Sequence, residues 1–182
     1  LLFCFFVLLN ALSTQPKNCS GLEQFLNSNK SQFSKYELRS TKLSCIVSLP
    51  QDFLFRSGDA ILKKGAYKAL SPLFFQILKI PEHKSDLLTV EGHTDNVPIH
   101  NDEYDSNWDL SFGRAYSVLK VFINDLNYDP QRISCQGFGE YRPLAPNTTR
   151  ENRQKNRRIE INIKRDYSTK FSEVLSFIPI SR

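Results

Sequence analysis

The chain has 182 residues, of which 24 are Lys or Arg and 19 are Asp or Glu, giving a formal net charge of +5. Hydrophobic residues make up 40% and charged residues 24%, a mixture that excludes wholesale disorder, a collagen-like repeat and a multi-span membrane protein. The length suits one globular domain with appendages.

Residues 1–12 read LLFCFFVLLNAL and are apolar except for Asn10. As a helix they would cover about 18 Å, short of the roughly 30 Å of a bilayer core. Because the sequence contains no Met, Leu1 is read as an internal position and the run as the outer half of a cut transmembrane helix. A signal-peptide core is the competing reading. Residues 13–42 shift to Ser, Asn, Gln and Lys, as a linker would. Within them Leu22, Phe25, Leu26, Phe33 and Tyr36 are loosely spaced for an amphipathic helix that could plug or dock against a partner.

A folded domain is expected over residues 43–165. Residues 43–49 form a strand with Leu43, Cys45, Val47 and Leu49 on one face. Ala66, Leu70, Leu73 and Ile77 then follow at helical steps. Pro72 either kinks that helix or restarts it with Ser71 as cap. Residues 87–92 form a second strand, and residues 107–124 a second helix whose core side includes Ala115, Val118, Leu119 and Phe122. Asp129-Pro130 turns the chain into a third strand over residues 132–136, which Gly137 and Gly139 end. A loop rich in Pro and Asn (141–147) leads to a last strand with Ile159, Ile161 and Ile163 inward. The order β-α-β-α-β-β predicts an α+β fold with one helix layer on one sheet. The tail, residues 166–182, carries a weak amphipathic pattern in Phe171, Val174, Leu175 and Phe177.

Two features bear on chemistry by their absence of pattern. Cys4, Cys19, Cys45 and Cys135 form neither a CxxC pair nor a disulfide framework. Basic residues crowd between 150 and 165, but that stretch has no aromatic residue for base stacking and alternates like a strand in its second half. It reads as a solvated strand end with an anion-facing side rather than as a nucleic-acid interface.

The informative segment is residues 91–115, EGHTDNVPIHNDEYDSNWDLSFGRA. A strand ends at Gly92, a polar loop holds His93, Thr94 and Asp95, and a helix opens near Asn107, a good N-cap candidate. Asn107, Leu110 and Arg114 share one helix face. A guanidinium beside free backbone donors at a helix N-terminus favours an anion, and Asp95 supplies the opposite charge across the same cleft. A ligand with both an ammonium and a carboxylate would match. A simple loop-to-helix salt bridge between Asp95 and Arg114 is the plainer alternative. His93, Asp95 and His100 make a poor metal set. Ser106 and Ser111 lack a nucleophile elbow, and no glycine-rich loop is placed for phosphates. Neither an enzyme nor a cofactor is called for.

The stretch Glu91-Gly92-His93-Thr94-Asp95-Asn96, the run Asn107-x-x-Leu110-Ser111-x-x-Arg114-Ala115, Gly137-Phe138-Gly139-Glu140 with Arg142-Pro143, and Asn156-Arg157-Arg158-Ile159-Glu160 resemble the OmpA-like peptidoglycan-binding domain. The resemblance covers residues 43–165. It implies a two-layer sandwich with a mixed four-stranded sheet ordered 1-4-2-3, Cys45 and Cys135 on opposite edge strands and both free. It also implies non-covalent binding of diaminopimelate in the peptidoglycan stem peptide. Asp95 would take the ammonium and Arg114 the carboxylate, Asn107 and Leu110 would shape the pocket, and Arg157 would assist. The long insert between Asp95 and Asn107 and the apolar start are similar to the stator B subunits of the flagellar motor, the MotB type. That likeness implies an inner-membrane single-pass anchor with a periplasmic domain, a MotA-like channel partner, a homodimer and an ion-carrying Asp before Leu1. A secreted or outer-membrane protein that tethers the envelope to the wall is the rival reading.

Overall fold

The computed structural model describes residues 17–80 and 86–166. The apolar run 1–12 and almost all of the tail lie outside the described residues. In chain order the elements are α1 (Ser20–Ser28), β1 (Glu37–Ser40), β2 (Ser44–Pro50), the single turn α2 (Gln51–Leu54), α3 (Ala66–Lys79), β3 (Asp86–His93), α4 (Asn107–Lys120), β4 (Ile133–Gly137), α5 (Arg150–Asn156) and β5 (Arg158–Arg165). They form an α+β fold around one mixed sheet ordered β1-β2-β5-β3-β4. β5 runs antiparallel to both β2 and β3, and β3 and β4 are parallel. The order 1-4-2-3 expected for four strands is therefore present as β2-β5-β3-β4, with a fifth strand added outside β2.

Strand alternation decides which side is covered. Val47 and Leu49 on β2, Leu88 and Val90 on β3, and Ile159, Ile161 and Ile163 on β5 are all buried on the helix side. Against them pack Leu70, Leu73, Phe74 and Ile77 of α3 and Ala115 and Val118 of α4. Phe74 meets Phe122 edge-on with ring centroids 5.0 Å apart. α3 runs unbroken through Pro72. The missing N–H would have bonded the carbonyl of Lys68, an exposed residue, so water can satisfy that oxygen.

Three expectations are corrected. Residues 17–42 are not a free linker: Leu22 and Leu26 of α1 are in the core, and β1 pairs with β2 from Glu37↔Ser48 to Ser40↔Cys45. Cys45 is consequently neither on an edge strand nor free. It forms a disulfide with Cys19, Cα–Cα 5.8 Å, which ties the start of α1 to the sheet. Cys135, on the edge strand β4, is free. Third, residues 150–156 form α5, capped by Thr149, whose hydroxyl accepts from the Asn152 amide. Buried Asn156 then accepts from the amides of Leu144 and Ala145 and donates to the Ala145 carbonyl and Asn147 side chain, pinning the loop before it. Among the described residues no helix is long and apolar enough to cross a membrane.

Candidate functional site

The site lies where β3, α4 and β5 meet, and two glycines allow the meeting. A Cβ on Gly92 would fall 2.0 Å from the Ser111 carbonyl oxygen, and one on Gly137 would fall 2.5 Å from the Phe112 nitrogen. α4 thus rests directly on the ends of β3 and β4, and any side chain at either position would lift it off. The N-cap of α4 is Ser106, not Asn107: the Ser106 hydroxyl accepts from the Asp109 amide and donates to the Asp109 carboxylate. Asn107 is freed for another task. Its amide nitrogen lies 3.3 Å from the Asp95 carbonyl, 3.0 Å from the Val97 carbonyl and 3.0 Å from the Glu140 carboxylate. It stitches the loop after β3 to the head of the helix.

A cavity of about 320 Å³ opens beside this stitch and is lined by Asp52, Asp95, Asn107, Leu110, Arg114 and Arg157, among others. All five residues singled out in the sequence line it together. Their pairing differs from the simple face-to-face clasp. Asp95 accepts from the Val97 amide with one oxygen at 3.1 Å, and its other oxygen meets Arg157 Nη1 at 2.7 Å. Arg157 also reaches Asp52 at 3.5 Å. Arg114 sits at the floor, only 2% exposed. Its guanidinium donates to the Asp59 carbonyl at 2.8 Å, to the Gln51 side-chain oxygen and, at 3.5 Å, to the Arg56 carbonyl. None of these acceptors is a carboxylate. Burial pulls its pKa down to about 10, opposed by Asp52, Tyr104 and Asp59. The plainer alternative, an Asp95–Arg114 salt bridge, is not formed: Asp95 pairs with Arg157, and Arg114 is held by uncharged oxygens and lies over the Phe55 ring, 5.6 Å from its centroid.

Asp52 and Gln51 were missed in the sequence because they follow β2 in a four-residue turn with no helical period. Ser106 and Ser111 have structural duties: the Ser111 hydroxyl donates to the Trp108 carbonyl and accepts from the Gly139 amide, each at 2.9 Å. His93 and Asp95 do not join His100 as a cluster. His93 faces the opposite side of the sheet from α4, and His100 is exposed.

This architecture can now be set beside known proteins. The model of the OmpA family matches residues 54–157. The chain belongs to the OmpA family. It is 33% identical to motility protein B of Bacillus subtilis over 144 residues, which is 79% of this chain and 54% of that protein. The periplasmic domain of Helicobacter pylori MotB superposes with a TM-score of 0.67 at 30% identity, covering 79% of this chain and 93% of that one. The cell wall anchor of the type VI secretion system of Pseudomonas aeruginosa gives a TM-score of 0.65 at 26% identity, covering 84% and 99%. The chain spans about half the length of the curated motility proteins it matches.

Proposed function

We propose that this chain binds peptidoglycan non-covalently through the cleft beside α4, and that it does so as the wall-anchoring part of a MotB-like flagellar stator subunit. The observation that carries the reading is one cavity holding two carboxylates and two guanidinium groups, with the deeper guanidinium satisfied by uncharged oxygens. Asp52 and Asp95 balance Arg114 and Arg157, so the empty cleft is neutral and a zwitterion keeps it neutral. The side-chain amino-acid head of diaminopimelate is such a zwitterion. Its ammonium would take the place of Arg157 on Asp95. Its carboxylate would meet the released Arg157 and the waiting Arg114, trading one charge-assisted pair for several. Asn107 holds the loop that carries Asp95, and Leu110 gives the cavity an apolar wall. The site binds and does not catalyse.

In this reading the described domain is periplasmic, an upstream inner-membrane helix pairs with a MotA-like channel subunit, and two copies form a homodimer. The wall contact holds the stator still while ion flow moves the partner. The likeness to a secretion-system wall anchor favours a second reading, a static tether of the envelope. The residues before Leu1 separate the two: an intramembrane Asp supports the motor, whereas a basic start followed by a cleavage site supports secretion.

The site is tested by retention on diaminopimelate-type peptidoglycan. Asp95→Asn and Asp95→Ala with Arg114→Ala should each abolish retention, and free diaminopimelate should release the wild-type chain. Undiminished retention of both variants would refute this pocket. Because Arg114 is buried, Asp95→Asn is the arm that stays interpretable if the double variant unfolds.

A further inference from the structure

The face of the sheet turned away from the helices carries a second constellation. The pleat sends Glu91 and His93 of β3, and Arg158, Glu160, Asn162 and Lys164 of β5, to that side. The register places Glu91 directly opposite Glu160 and His93 opposite Arg158. A cavity of about 510 Å³ opens over them, with Arg39 of β1, Gln136 of β4 and Arg142 in its wall. Four basic side chains (Arg39, Arg142, Arg158 and Lys164) meet two acidic ones there, an excess of two positive charges.

The charges are layered. At the floor Glu91 is 6% exposed, Glu160 3% and Arg158 4%. Arg158 Nε donates to Oε1 of Glu160 at 2.7 Å, and Asn162 donates to Oε1 of Glu91 at 3.0 Å. At the mouth Arg39, Arg142 and Lys164 are exposed, and none of the exposed lining residues is acidic. Arg39 reaches Glu160 at 3.3 Å. The Arg142 guanidinium lies over the Phe138 ring, 3.6 Å from its centroid. Among the described residues neither Arg142 nor Lys164 has an ion-pair partner.

Hydrogen-bonding capacity is unfilled at the floor. Both His93 nitrogens and Oδ1 of Asn162 are buried without a partner, a condition that is uncommon and asks for an explanation. Oε2 of Glu91 and Oε2 of Glu160 lie 4.0 Å and 3.8 Å from Nε2 of His93, too far for hydrogen bonds. Burial first, then Arg158, Arg142 and Arg39, drives the His93 pKa down to about 3. The neutral ring offers one N–H and one lone pair.

We infer that this cavity binds a phosphate monoester of a sugar or other polyol, with the phosphate at the mouth and the hydroxyls at the floor. A phosphate monoester carries roughly two negative charges on three acceptor oxygens, which matches the excess charge of the lining. Arg39 and Arg142 supply forked donors and Lys164 a compact charge. Arg39 can turn to the phosphate because Arg158 still holds Glu160. The two glutamates keep an anion from sinking deeper, whereas a hydroxyl suits the floor. It can donate to Oε2 of Glu91 or Oδ1 of Asn162 and accept from the His93 N–H. Free phosphate would leave the floor unpaired, and an uncharged sugar would leave the mouth unpaired. The site is separate from the cleft beside α4 and does not depend on the wall-binding reading.

Calorimetric titration of the full chain with glycerol 3-phosphate and glucose 6-phosphate tests the site, with inorganic phosphate, glycerol and glucose alongside. At least one ester should bind about tenfold more tightly than inorganic phosphate, and glycerol and glucose should not bind. Arg142→Ala and Lys164→Ala, both at exposed positions, should each weaken ester binding about tenfold. Glu91→Gln should narrow the preference for ester over inorganic phosphate, and Asp95→Asn should change neither. Failure of both esters to bind would overturn the inference. So would equal affinity for inorganic phosphate, or ester binding that survives Arg142→Ala combined with Lys164→Ala. Binding of phosphatidylglycerol vesicles without either free ester would overturn it too, since that lipid's phosphate is a diester.

Discussion

The cleft beside α4 and the buried cluster of Glu91, His93, Arg158 and Glu160 on the open face of the sheet both draw on the end of β3 and the beginning of β5, and they behave as opposites. Arg157 and Arg158 are neighbours, yet Arg157 turns into the cleft while Arg158 crosses to the other face of the sheet. His93 and Asp95 are parted differently: β3 ends at His93, and the chain then turns Asp95 into the cleft. In the cleft the Arg157 side chain is 25% exposed, and of its two partners Asp95 is 8% and Asp52 51% exposed. In the cluster the side chains of Arg158 and Glu160 are each 4% exposed. Charges that water can reach form weak, exchangeable pairs, whereas charges sealed from water bind their partners firmly and cannot be removed singly. Adjoining residues therefore serve an adaptable site and a rigid one, parted by the pleat at Arg157 and Arg158 and by the end of β3 at His93.

The sharpest way to break this comparison is to truncate the buried arginine. Arg158→Ala would leave Glu160 facing Glu91 across the strands with only half-exposed Arg39 to offset it. A loss of roughly 3–5 kcal/mol is expected, and denaturant melts should show it. A loss of only about 1–2 kcal/mol would mean that the cluster is as soft as the cleft.

Acid should act on the cluster next. His93 stays neutral in the folded state until about pH 3, because burial and the charges of Arg158, Arg142 and Arg39 prevail over the adjacent Glu91 and Glu160. In the unfolded chain the same ring protonates near 6.5. The unfolded state thus holds more protons between these values, and stability present above pH 6.5 is lost as pH falls toward 3. The His93 share of that slope approaches about 1.4 kcal/mol per pH unit. Comparing wild type with His93→Gln isolates it from the other carboxylates. A shallower slope in the wild type than in the variant would show that the two glutamates dominate the ring.

Much of this arrangement is legible in the sequence, for identifiable reasons. Ile159, Ile161 and Ile163 alternate without interruption, and Ala66, Leu70, Leu73 and Ile77 keep a helical step, so β5 and α3 follow from periodicity. Helix-face spacing and the loop after β3 bring Asp95, Asn107, Leu110 and Arg114 to one cleft, and motif resemblance adds Arg157. Their pairing was not legible, because Arg114 is held by carbonyls of residues 56 and 59 in a loop with no period. The Cys19–Cys45 link and β1 were not legible because residues 17–42 have the Ser, Asn and Lys composition of a linker; Leu22, Leu26, Phe33 and Tyr36 stand out as apolar, but their spacing does not say that they pack into this chain's own core. The pairing of Glu91 with Glu160 depends on strand register, which spacing along one chain does not contain.

The smallest effect on stability should come from the cleft, and it sharpens the contrast most. Arg157→Ala removes a 2.7 Å contact to buried Asp95 and a 3.5 Å contact to half-exposed Asp52, and only the opening left by the truncated side chain lets water reach the Asp95 carboxylate. The melting free energy should fall by about 1–2 kcal/mol, less than at Arg158. Retention on peptidoglycan should nevertheless fall, because the ligand carboxylate would lose the more mobile of its two guanidinium partners, a charged hydrogen bond of about 1.5–3 kcal/mol. That is roughly a tenfold to hundredfold weaker affinity. Arg157→Lys keeps the charge but not the forked geometry and should lie between the two. If Arg157→Ala instead bound more tightly, the free Asp95 would be the better receptor, and Arg157 would be a competitor that the ligand displaces rather than a partner it recruits.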